Sequence, residues 1–104
     1  MNNLDDRLKE LAESLLSSYE EAYNLCYPTV ERIIQYEIKD IDLIEHTLDQ
    51  ALDIYTEKGF NLFIVLLLYY QTVNYQRACE YLEILKDDRK EEYDDYVKKY
   101  KKIK

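Results

Sequence analysis

His46, Cys26, Cys79 and an abundance of carboxylates are the side chains through which this chain could do chemistry. A zinc centre draws three or four His, Cys or carboxylate ligands at set spacings, and His46, Cys26 and Cys79 share no such spacing. Carboxylate-bridged metal sites in helical bundles use Glu-x-x-His pairs, but the residue three places before His46 is Leu43. A phosphate-cradling loop needs several glycines, and Gly59 is the sole glycine of 104 residues. Nothing suggests a Ser/His/Asp or Cys/His nucleophile. These absences point away from an enzyme, a cofactor or a metal, and toward a surface that makes contacts.

Two features suit contact. The 12 tyrosines are an unusual number for this length, and tyrosine combines a large apolar ring with a hydroxyl that stays wet. Tyr19, Tyr23, Tyr55 and Tyr69 fall on apolar stripes and read as core. Tyr93, Tyr96 and Tyr100 form a C-terminal set that either closes the bundle or offers a docking face. The second feature is charge. The net charge is −8, with fourteen Asp/Glu against five Lys/Arg in residues 1–60 and eight against nine in residues 61–104. Asp6, Glu10, Glu13 and Glu20 lie away from the first apolar stripe, as either a solvated face or a surface that steers a basic partner. The same charge disfavours binding to nucleic-acid phosphates.

The elements that must position these residues are helices. One glycine and one proline, Pro28, are too few for the many turns of a sheet protein, and apolar residues recur every three or four positions. Leu4, Leu8, Leu11, Leu15, Tyr19, Ala22, Tyr23 and Cys26 place a first helix over about 4–26. Pro28 is expected to break it, although Val30, Ile33, Ile34, Ile38 and Ile41 continue the phase. Asp42 and Glu45 suggest a capped helix over about 43–58, ended by Gly59 in the left-handed conformation. The run Leu62 to Tyr70 is apolar all round and is expected at the centre of the bundle, with Asn61 as its cap. It is half the length a membrane span requires (about 20 residues). A last helix over about 89–104 takes Asp88 and Glu91 as its cap pair and ends in a frayed basic tail at 98–104.

Residues Leu62 to Leu85 resemble a tetratricopeptide repeat, a helix–turn–helix unit. Leu62, Val65, Leu66, Tyr69, Ala78 and Leu82 fall at the family's spacings, and Asn74-Tyr75 looks like its usual turn. Leu62 stands where the family has Trp, Leu66 where it has a small residue, and Lys90 where it has Pro. The resemblance implies a scaffold that binds peptides or proteins, with no catalytic residues to carry over, and a turn near Val73–Asn74.

The reading is all-α: one domain over 1–104, a compact antiparallel bundle of four to six helices built from hairpins. Two cysteines outside any CxxC, with no basic-then-apolar leader, suggest reduced thiols in the cytoplasm. The expected function is stoichiometric binding of another protein, as an inhibitor, immunity factor or adaptor, through Asp6, Glu10, Glu13, Glu20, Tyr93, Tyr96 and Tyr100. The alternatives are a ligand-binding regulator, with a pocket by Phe63, Tyr69 and Tyr70, and a self-associating structural module.

Overall fold

A computed structural model describes the backbone of residues 3–100 and their side chains except at 3, 4, 96, 99 and 100. The basic tail beyond residue 100 and the side chains of Tyr96 and Tyr100 lie outside the described residues. The elements are α1 (Asn3–Gln35), α2 (Ile41–Leu52), α3 (Glu57–Val73), α4 (Tyr75–Asp88) and α5 (Lys90–Tyr100), with no strand among the described residues. None of the described helices is long and apolar enough to cross a membrane. The chain divides into two compact units, residues 1–63 and 64–104, with the boundary inside α3.

The expected break at Pro28 does not occur: α1 is one helix of 33 residues. Proline removes the hydrogen bond to the carbonyl of residue 24 and strains the preceding turn. Pro28 and Asn24 are both exposed, on the side away from buried Cys26, Val30 and Ile33, so the freed carbonyl meets water. Burial of the continuing stripe Cys26–Val30–Ile33 then outweighs the lost bond. The helix stops at a Schellman turn, without a glycine. Glu37 takes φ 49°, its N–H donates to the Ile34 carbonyl (3.2 Å), and the Ile38 N–H donates to the Ile33 carbonyl (2.9 Å).

The next two boundaries also differ from the sequence reading. Asp40, two residues before the expected Asp42, caps α2 by accepting from the Leu43 N–H at 3.3 Å. α2 ends at Leu52, well before Gly59. Gly59 has no positive φ and is no C-cap; it lies in the first turn of α3, and Asn61 follows inside the same helix. Thr56 is the cap there, its Oγ1 accepting from the Gly59 N–H at 3.1 Å. A capping hydroxyl, more than a flexible residue, sets this boundary.

Within the first unit, α1 and α2 pack as an antiparallel pair. Cys26, Val30, Ile33, Ile44, Leu48, Ala51, Ile54, Leu62 and Phe63 are the buried apolar residues of this unit. Thr47 is fully buried, and its hydroxyl donates to the Leu43 carbonyl at 2.7 Å. Phe60 and Phe63 stack at 6.5 Å.

Within the second unit, α4 packs on α5. Asn74, in extended conformation, caps α4 by accepting from the Arg77 N–H at 3.1 Å, where the sequence places the turn. Ile64, Leu66, Leu67, Tyr70, Ala78 and Leu85 are buried, and the Tyr70 ring meets Tyr81 edge-on at 6.5 Å. Val65 and Leu68 are exposed, so the apolar run is covered on one side and not all round. Asp88 is the last residue of α4 and not the cap of α5. Arg89 stands between the two helices and pairs with Glu92 at 3.1 Å.

Candidate functional site

The first turns of α1 gather four exposed leucines within nine residues. Every described side chain from Asp5 to Ser18 is exposed. Leu8, Leu11, Leu15 and Leu16 are 56%, 66%, 53% and 60% accessible. Monomeric surfaces rarely gather several large apolar side chains in one strip. Leu8, Leu11 and Leu15 occupy the helix face that, further along, buries Cys26, Val30 and Ile33.

The cause is a mismatch of lengths. α1 has 33 residues and α2 has 12, about 50 Å against about 18 Å of helix. Cover begins only at Tyr19, whose ring lies 6.1 Å from that of Tyr55. It continues at Tyr23, whose ring lies tilted 5.8 Å from that of Tyr27 and receives the Lys58 ammonium over its face at 5.8 Å. The residues before Tyr19 run on alone for about 20 Å.

The expected acidic residues are brought together. Asp6, Glu10, Glu13 and Glu20 are all exposed, and helical spacing sets them on the face opposite the leucines. Arg7 lies at one border of the apolar stripe. Tyr93 is half-buried in the second unit, apart in sequence from this face. Tyr19, Tyr23 and Tyr69 are half-buried, as residues on a core stripe would be; Tyr55 is 61% exposed, contrary to its expected place in the core. Tyr70 is fully buried and so lines no open pocket.

No family model matches the chain, and comparison with curated proteins and with solved structures finds no match.

Sequence spacing misses the exposed leucines because they share the phase of the core residues. The signal that could find them is length: once Pro28 is read through, α1 is nearly three times as long as the helix after it.

The remaining features are an open groove in the first unit, two thiols and a histidine. An open groove of about 360 Å³ is lined by Ala22, Leu25, Cys26, Thr29, Gln50 and Asp53. Cys26 and Cys79 are free cysteines. The buried Cys26 thiol lies 3.9 Å from the Thr47 carbonyl, and burial pushes its pKa up. His46 is exposed, and no group of three metal-binding side chains occurs among the described residues.

The raised Cys26 pKa has a definite sign. The folded protein holds the thiol proton to higher pH than the unfolded chain does, so folding loses stability as pH rises past the ordinary thiol range. At neutral pH the contribution is intact. Chemical denaturation of the native protein and Cys26→Ala from pH 7 to pH 10 (about three pH units) should show a steeper alkaline decline in the native protein. Parallel slopes would refute the burial effect.

Proposed function

We propose that this protein is a stoichiometric protein-binding module, an inhibitor or adaptor, acting through the first turns of α1. The observation that carries the reading is the exposed Leu8–Leu11–Leu15 stripe, backed by Asp6, Glu10, Glu13 and Glu20. A partner groove would gain its affinity by covering the leucines. The carboxylates would speed the approach of a basic partner and make it salt-dependent. The helix–turn–helix resemblance of Leu62 to Leu85 supports the same class of function. The reading needs no catalytic group, cofactor or nucleic acid. It sets the protein in the cytoplasm, where Cys26 and Cys79 would stay reduced.

The test compares the native protein with Leu11→Asp in affinity capture from its host, at low and high salt. A charge in the middle of the stripe should weaken capture at least about 30-fold, the loss expected of a hot spot. Capture that survives Leu11→Asp unchanged would refute the reading.

A further inference from the structure

We propose that the groove between α1 and α2 in the first unit is a binding site for a small aliphatic amine. The site is separate from the first turns of α1 and goes beyond the protein-binding reading.

Sequence sets its two walls. Ala22, Leu25, Cys26 and Thr29 follow one another at helical spacing and share one face of α1. Gln50 and Asp53, three residues apart at the end of α2, form the facing wall. The space between them is about 360 Å³, at the lower end of small-ligand sites (about 300–1,000 Å³). The α1 wall is apolar except at Thr29, and the α2 wall is polar. This division suits a ligand with a short hydrocarbon body and one polar head.

Charge selects the head. Of the six lining residues Asp53 alone is ionised at neutral pH, since burial keeps the proton on the Cys26 thiol. Asp53 is also the C-cap of α2, its N–H donating to the carbonyls of Asp49 and Ala51. The C-terminal end of a helix carries partial negative charge, which basic side chains normally offset. The last turn of α2 has no basic residue, and Asp49 and Asp53 add to its negative charge. Among the described residues no cationic side chain pairs with the Asp53 carboxylate. The groove therefore ends on an uncompensated negative pole.

An ammonium group is the complement of that pole. It would donate to the Asp53 carboxylate and to the Gln50 side-chain carbonyl, with its chain along Ala22, Leu25 and Cys26. An anionic head would be repelled at the same place. Asp53 and Gln50 are exposed, so water competes for both. The affinity is accordingly modest, with a Kd of about 1–10 mM.

Titration of the native protein with n-butylammonium at constant ionic strength, followed by amide chemical shifts, tests the proposal. The shifts should saturate and concentrate at residues 22–29 and 50–53. n-Butanol, the same chain with a neutral head, should bind at least about threefold more weakly. Asp53→Asn should lose affinity for the ammonium by a similar factor while keeping the native circular dichroism. Glu31→Gln, which removes a carboxylate from the opposite side of α1, should bind as the native protein does. Nα-acetyl-lysine amide carries the same head on a protein-like chain and should bind no more tightly than n-butylammonium. Shifts that spread over the acidic surface without saturating overturn the proposal, as does affinity unchanged in Asp53→Asn. Tighter binding of the lysine derivative also overturns it, by making a partner's side chain the occupant.

Discussion

Gly59→Ala should lower the thermal midpoint by roughly 10 °C, corresponding to about 2 kcal/mol for a domain of this size. Helix propensity alone gives the opposite sign, since alanine inside a helix is favoured over glycine by about 1 kcal/mol. Space decides. A Cβ at position 59 would lie 2.5 Å from Ile54 Cγ2 and 2.6 Å from Ile54 Cβ, and would overlap the Ile54 carbonyl oxygen. That backbone cannot step aside cheaply. The Ile54 N–H donates to the Ala51 carbonyl at 3.1 Å, the Ile54 carbonyl accepts from the Thr56 N–H at 2.9 Å, and the side chain is buried. Overpacking of this kind costs about 1–3 kcal/mol and sometimes more. Gly59→Val, with a second branch at Cβ, should lose more than Gly59→Ala. A thermal midpoint that rises in Gly59→Ala would show that the loop yields and that the contact does not shape the first turn of α3.

The second large effect is a contrast between two leucines. Leu48→Ala should cost about 2–5 kcal/mol, because Leu48 is fully buried in the first unit and its loss leaves a cavity. Leu11→Ala, at 66% exposure, should change stability by less than about 0.5 kcal/mol. Leucine and alanine differ little in helix propensity, so burial accounts for the difference. Urea denaturation of each variant against the native protein measures both. Equal losses at the two positions would mean that the first turns of α1 are covered within the chain.

These expectations separate what the sequence carries plainly from what it conceals. Helical periodicity dominates the chain, and the all-α fold follows from it. The turn at Asn74 is legible because a short amide side chain there caps the helix it precedes, a local interaction written in three or four residues. The boundary around Gly59 is not. Glycine signals either a left-handed turn or a close approach, and only tertiary structure shows Ile54 against it. Glu37 supplies a left-handed turn that composition would assign to glycine, held by two backbone bonds at the end of α1. Pro28 is legible in both directions: its ring argues for a break and the unbroken stripe argues for continuity, and the balance depends on what that stripe buries.

The candidate site divides in the same way. The acidic face of α1 can be read off directly, because residues three and four apart share a side of the helix. The leucine stripe cannot be told from core by spacing, since Leu8, Leu11 and Leu15 have the same phase as Cys26, Val30 and Ile33. What distinguishes them is whether another helix lies opposite, and α2 is too short to reach them.

That uncovered stripe is the central structural feature, and hydrogen exchange of the α1 amides tests it most directly. A helix segment of about 14 residues without tertiary cover is marginal in water. Amides between Asp5 and Ser18 should therefore exchange far faster than those between Cys26 and Ile33. Protection of residues 5–18 equal to that of 26–33 would contradict it.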